Sequence, residues 1–427
     1  MSASTGASAS GPGTPASPEL TLRALSPGLL ALPWDQPLGE WSPAEVPLRD
    51  IAVGPSRHLV RFAGCDGVLW ALKELPHRIA RKEYAVLRRL EDLALPAVRP
   101  AGVVFQAEDT AILVTRYLEG SWQYRRLFMR LPPNRPAHRA RLFDAMAGLL
   151  VELHRHGIFW GDCSLANTLF SRDGQILQAW LVDAETSEVH PSLSDGQRQI
   201  DLNILVENVA AGMIDLAERL DRPPEIHEQL IDEALAIPGR YRALWEALHA
   251  EPVFSFGDRY RVEGKIRELN DLGFAVEEVT LRPTGDGPGA LRLQVAVGDR
   301  RFHADQLRAL TGLDAGEGQA RILLGDLHAY QASLSRRGGR EVGETEAATR
   351  WRDAVFGPGT ARAHAALGGV GSPVQAYCDL LEVRWILSER QGADVGDGRA
   401  LAALAGRAPT DSAARAAVAE PSEPCEG

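Results

Sequence analysis

The order of apolar and polar positions divides the chain into two halves of different texture. In the first half, short strand-like runs and long helical stripes take turns. HLVRF (58–62) and VLWALKEL (68–75) read as strands joined by the Gly-bounded turn AGCDG. IARKEYAVLRRLEDL (79–93) reads as a helix, and VVFQ with AILVTRYL (111–118) returns to strand. Segment 137–157 predicts an amphipathic helix. Leu142, Met146, Leu149, Leu150 and Leu153 share one stripe, and Gly157 supplies the stop. IFWGDCSLANTLF, a turn at 171–174 and the run ILQAWLVDAE follow, and 201–220 carries another helical stripe.

The second half is helix-rich. After a helix near 226–236, the pair Pro238–Gly239 reads as a boundary. A helix at 264–274 and two strands, AVEEVTLR and ALRLQVAV, lie on either side of or beside the loop TGDGPG. Helices follow at HADQLRAL, GQARILLGDLHAYQASL, EAATRWRDAVF and PVQAYCDLLEVRWILSER. This is a mixed α+β pattern without a catalytic constellation. Residues 1–18 are almost wholly Ser, Ala, Gly, Thr and Pro, and from about 395 the chain turns to Ala, Gly, Pro and acidic residues. Both ends therefore read as loose tails. The resulting map is a tail over 1–40, a first domain over 41–237, a second over 238–394 and a disordered tail over 395–427.

Composition narrows the classes. With 427 residues and 45% apolar content, the chain is not wholly disordered. No apolar run approaches the ~20 residues needed to span a bilayer, so no integral membrane segment is expected. The first residues show no basic, then apolar, leader, and the expected location is cytoplasmic. A net charge of −11, with no basic helix or aromatic ladder, argues against nucleic acid as partner. Cys65, Cys163, Cys378 and Cys425 are scattered without a C-x-x-C spacing, so neither a zinc ribbon nor a redox dithiol is indicated. Arginine outnumbers lysine 43 to 3. A lysine retained against that bias marks a place where a compact charge on a flexible stem matters.

One such lysine, Lys73, ends an alternating strand, and Glu83 follows ten residues later on a helix. A strand lysine held by a helix carboxylate is an arrangement that grips nucleotide phosphates. Glu74 is a competing partner, but in a strand it points to the opposite face. Downstream, Asp162 and Asn167 have the spacing D-x-x-x-x-N, and an apolar strand then ends in Asp183. Phosphoryl transfer to a hydroxyl wants a carboxylate to accept the proton and oxygen ligands for Mg²⁺ on the phosphates. Asp162 suits the first task, and Asn167 and Asp183 the second. A hairpin through 171–174 would return Asp183 beside Asn167.

This series resembles the protein-kinase-like superfamily, and most nearly its lipopolysaccharide (Kdo-type) kinase-like branch. The resemblance covers about 50–237. It implies a two-lobed kinase-like core with an N-lobe at about 41–113 and a C-lobe at about 120–237, followed by a smaller helix-rich α+β domain. LVTRYLEG (113–120) would bridge the lobes and receive an adenine edge. The second half is similar to an uncharacterised C-terminal domain of actinobacterial proteins of this type, and is the expected surface for a protein partner. By the resemblance, Asp162 is the catalytic base, Lys73, Glu83 and Gly54 bind nucleotide, Asn167 and Asp183 hold the metal, and Asp201 props the catalytic loop.

The chain departs from the superfamily pattern in reading W-G-D at the catalytic loop, Asp183-Ala184-Glu185 at the D-F-G position, and a single glycine, Gly54, in the segment VGPSRHLVRF. The implied activity is an ATP- and Mg²⁺-dependent phosphotransferase acting on a hydroxyl of a small molecule, sugar or glycolipid. Arg125 and Arg126 would flank the acceptor. The rival expectation is a pseudokinase, a nucleotide-binding or scaffold protein working through its C-terminal domain.

Overall fold

The structure is a computed structural model and describes residues 17–23, 26–51, 57–130, 136–255, 258–284 and 290–406. The chain forms two compact units. One comprises Met1–Leu93, Ala97–Leu118 and Asp183–Ser187, and the other comprises Ala94–Pro96, Glu119–Val182 and Glu188–Gly427.

The first unit is built on a six-stranded antiparallel sheet. Its order is Glu19–Leu22, Pro100–Phe105, Thr110–Arg116, Val68–Pro76, Val60–Cys65 and Leu48–Arg49. Val60–Cys65 and Val68–Pro76 are joined at Asp66 and Gly67, both at positive φ (50° and 76°). That turn suits the right-handed twist of a hairpin, and Asp-Gly is its favoured pair. The helix His77–Asp92 buries Ala80, Glu83, Val86, Leu87 and Leu90 on one stripe.

The expected tail over 1–40 needs correction. Glu19–Leu22 is an edge strand, and Leu29, Leu32, Trp34 and Leu38 are buried with Trp41 and Val46 against Ala63, Trp70, Leu72, Val104, Ile112 and Val114. The segment packs mostly in irregular conformation, so no helical or strand period advertises it. Its indoles are still satisfied, Trp34 Nε1 donating to Leu29 O and Trp41 Nε1 to Gln36 O (both 3.1 Å).

In the second unit the helix Pro136–Arg155 leads into Ile158–Phe159, which pairs with Glu188–Val189. Strands Thr168–Asp173 and Ile176–Leu181 form a hairpin, and Ser121–Gln123 pairs with its first strand. The helix Asp195–Arg219 starts six residues before the expected 201 because Ser194 and Gln197 form a capping box. The expected boundary at Pro238–Gly239 falls inside the helix Ile237–His249. Proline in the first turn lacks only an N–H that would be unpaired there anyway, so it does not break the chain.

Beyond it, strands Val253–Ser255, Ala290–Val297 and Val276–Pro283 form a small sheet, and helices Phe302–Thr311, Glu317–Gly338, Glu344–Trp351, Gly357–Ala366 and Pro373–Gln391 enclose a core around Leu323, Leu327, Trp351, Tyr377 and Leu380. The tail expected from 395 is also corrected. Gly396–Ala405 is a helix whose Ala400 and Leu404 enter that core, and only 407–427 lie outside the described residues. The whole is a mixed α+β chain whose C-terminal part is helix-rich with a small sheet. Among the described residues no helix is long and apolar enough to cross a membrane.

Candidate active site

In the first unit Lys73 lies on the strand Val68–Pro76, in register with Val60 and Leu113. Its Nζ is 3.1 Å from Glu83 Oε2, 2.8 Å from Asp183 Oδ2 and 3.8 Å from Glu185 Oε2. Glu83 is fully buried. Glu74 turns away to accept the Leu38 N–H (3.1 Å). Burial opposes the Lys73 charge, but Glu83 and Asp183 outweigh it and hold the ammonium protonated. Burial pushes the Glu83 carboxyl up to about 7, against the attraction of Lys73. The Ala184 N–H donates to Glu83 (3.3 Å), fixing the segment after Asp183.

Glu185 was not singled out as a site residue. It sits two positions beyond Asp183 and receives Arg57 Nη2 (2.9 Å) as well as His58 Nε2 (3.0 Å). Carboxylate oxygens of Glu83, Asp183 and Glu185 lie within 4.8 Å of one another. These are hard oxygen donors, but Lys73 and Arg57 already pair with them. Gly54 lies outside the described residues.

In the second unit, Trp160 to Asn167 form the loop between Ile158–Phe159 and Thr168–Asp173. Asn167 Nδ2 donates to Asp162 Oδ2 (2.9 Å) and to Asp162 O (3.2 Å). That commits the amide nitrogen and leaves the amide oxygen, a hard ligand, as its acceptor end. Asn208 Nδ2 lies 3.5 Å from Asp162 Oδ1 and 3.0 Å from Cys163 O. Asn208 was missed, although it stands two helical turns after Asp201 and so on the same face.

Asp201 is buried behind the loop. It accepts the N–H groups of Trp160 (2.7 Å) and Gly161 (2.8 Å). Gly161 itself is left-handed (φ 81°), a conformation that favours glycine, and turns the chain on toward Asp162. His154 Nε2 is 3.0 Å from Asp201 Oδ2, and His154 Nδ1 is 2.8 Å from the Tyr241 hydroxyl. A carboxylate only accepts, so Nε2 carries the proton and Nδ1 accepts from Tyr241. Burial lowers the His154 pKa despite Asp201 and keeps the ring neutral.

Trp160 and Cys163 are fully buried, and burial raises the Cys163 thiol well above its usual range, so it is no nucleophile. Of the arginines near this region, Arg139 is a buried partner of Glu233, with two bonds of 2.7 Å, and Arg125 pairs with Asp215 (3.5 Å).

Comparison with known proteins places the chain among families. No curated protein matches the chain. Among solved structures, the chain is similar to WaaP in complex with acyl carrier protein, at 18% identity and TM-score 0.31, over 46% of this chain and 89% of that one. Residues 68–221 match the Lipopolysaccharide kinase (Kdo/WaaP) family, and residues 243–406 match a Domain of unknown function (DUF4032). Lys73, Glu83, Asp162, Asn167, Asp183 and Asp201 all fall inside the first match and none inside the second. The chain therefore carries a lipopolysaccharide kinase (Kdo/WaaP) family domain, which contains every one of these residues, followed by a DUF4032 domain.

Proposed function

We propose that the chain is an ATP- and Mg²⁺-dependent phosphotransferase that acts on a hydroxyl of a small molecule, sugar or glycolipid. The observation that carries this reading is the state of Asp162 within a kinase-family domain. Its carboxylate is ordered by Asn167, on a loop latched from behind by Asp201. A carboxylate so placed orients an acceptor hydroxyl and accepts its proton as the hydroxyl oxygen bonds to the γ-phosphorus and the bond to the bridging oxygen breaks, releasing ADP. Lys73, held charged by Glu83, pairs with the phosphates. Asn167 and Asp183 are the residues that would hold Mg²⁺, which neutralises phosphate charge when bound.

The acceptor class rests on chain length. Protein kinases place a long activation segment after the D-F-G aspartate, ending in A-P-E, as a peptide shelf. Here Asp183 and Asp201 are 18 positions apart, A-P-E is absent, and the next helix already begins at Asp195. That supports a small hydroxyl acceptor, flanked by Arg125 and Arg126.

A second reading, a pseudokinase, is favoured by one observation. The segment 53–62 carries one glycine where a phosphate cradle would have several. Labelled ATP and Mg²⁺, presented with the purified chain and a metabolite and glycan library, separate the two. Labelled product that disappears in Asp162→Asn supports the phosphotransferase. ATP consumption equally low in both proteins would establish the pseudokinase.

A further inference from the structure

The hairpin Thr168–Asp173/Ile176–Leu181 begins directly after Asn167, and its tip is gripped by the C-terminal domain. The helix Glu317–Gly338 has Gly316 at its N-cap, a residue with no side chain to cap the first N–H groups. Asp173 supplies that cap from far away in the chain. Its Oδ2 accepts the Gly318 N–H and its Oδ1 the Gln319 N–H, both at 2.8 Å. The approach is close enough to require glycines. A Cβ on Gly318 would lie 2.2 Å from Asp173 O, and one on Gly174, which is left-handed at φ 63°, would lie 2.7 Å from Gly318 O. Gln375 receives the Gly174 N–H (2.9 Å) and returns a bond to Gly174 O (3.0 Å). Arg172 reaches Asp379 (2.9 Å) and Glu382 (3.3 Å) on the same helix, Pro373–Gln391.

At the other end of the same strand, Thr168 Oγ1 donates to Ser164 O (2.8 Å), the Asn167 N–H donates to Ser164 Oγ (3.2 Å) and the Val182 N–H donates to Asn167 O (3.2 Å). The strand is thus pinned at its tip by one domain and continuous at its base with the loop bearing Asp162 and Asn167. A tether whose only task was to keep two domains together could attach anywhere on the surface. The C-terminal domain also meets Arg155 (to Val297 O, 2.6 Å), His156 (to Asp299, 3.4 Å) and Gln178 (to Arg300, 3.2 Å), but its bonds to Arg172, Asp173 and Gly174 fall at the end of the strand that leaves the site.

We propose that the DUF4032 domain is a positioning clamp on the catalytic loop, with Asp173 as its positioning residue: the cap of Glu317–Gly338 by Asp173 holds the hairpin and thereby the setting of Asn167. The catalytic half of this inference rests on the phosphotransferase reading, whereas the mechanical half does not.

The test uses the full chain with Asp173→Asn, which turns one acceptor into a donor facing an N–H, and Gly318→Ala, which wedges the tip without changing any charge. Arg384→Ala is the control, since it breaks ion pairs to Asp394 and Asp397 inside the same domain and leaves the bonds of Gln375, Asp379 and Glu382 on its helix to the hairpin in place. Hydrogen exchange without ligand is measured first. Exchange over 160–169 should accelerate about 10-fold or more in both hairpin variants and not in the control. The Mg²⁺ concentration needed for half-maximal ATP binding should then rise about 10-fold, the effect expected of residues that orient a ligand, while binding in the presence of EDTA is unchanged.

Acceleration confined to 170–178, or equal acceleration in Arg384→Ala, overturns the clamp. Faster exchange with an unmoved Mg²⁺ requirement overturns its positioning role. A wild type that binds no nucleotide refutes the phosphotransferase reading instead, and the exchange pattern then decides the clamp alone.

Discussion

Glu83 gives a pH dependence of known sign. Its carboxyl is fully buried, and burial raises it from an ordinary value of 4.5 to about 7. The folded chain therefore binds a proton more tightly than the unfolded chain does. The stability this contributes is fully present below about pH 4.5 and is lost as pH rises through about 7. A gap of this size corresponds to roughly 3 kcal/mol. Lys73, held protonated by the carboxylates, does not titrate in this window.

Glu83→Gln removes the titration and keeps an oxygen for the Ala184 N–H. Scanning calorimetry of both proteins from pH 4.5 to 8, in matched buffers, isolates the effect, because the other groups titrate in both. The melting temperature of wild type minus variant, read on the transition of the unit that carries Glu83, should fall by about 10 °C across the window and level off above it. Any cost of the substitution that does not depend on protonation, such as altered packing, shifts this difference at every pH alike. A difference that does not vary with pH, or that grows as pH rises, would refute the reasoning.

Three further outcomes follow from the same geometry. Asp162→Asn should lower turnover ~10²–10⁴-fold and leave nucleotide affinity, measured by calorimetric titration, nearly intact. Asp201→Asn retains only one acceptor oxygen for the Trp160 and Gly161 N–H groups, so the loop should lose about 1.5–3 kcal/mol of protection, read as faster exchange at those two amides. Leu404→Ala should cost about 2–5 kcal/mol in denaturant unfolding of the C-terminal domain, where a true tail residue would cost almost nothing.

What was legible in the sequence was local. Asp66–Gly67 announces its hairpin through turn chemistry, and the 142–153 stripe announces its helix through spacing. Asp162 and Asn167 stand five positions apart, near enough for one loop to show both. The Trp34–Trp41 segment was illegible for the opposite reason. Packing in irregular conformation has no period, and a Pro-rich stretch with two tryptophans looks like linker until a sheet face is there to cover. The helix Gly396–Ala405 was obscured by composition, since alanine and glycine dominate both a tightly packed helix and a tail.

Partners distant in sequence were harder still. His154 reads only as a histidine near the end of its helix. That says nothing of Tyr241, which arrives 87 positions later to complete the His154–Asp201 link. Asp173 reads as an ordinary turn aspartate in S-R-D-G, and its partners lie 145 and 146 positions away. Yet the other side of that contact did leave a trace. A long helix opening on Gly316-Glu317-Gly318, with no Ser, Thr, Asp or Asn at its N-cap, leaves its first N–H groups unprovided for. When such an end is buried, an acceptor must come from elsewhere, and a paired glycine inside the first turn says that it comes close. The combination of a missing cap and an extra glycine therefore predicts a visiting carboxylate, and here the visitor stands on the strand that begins at Asn167.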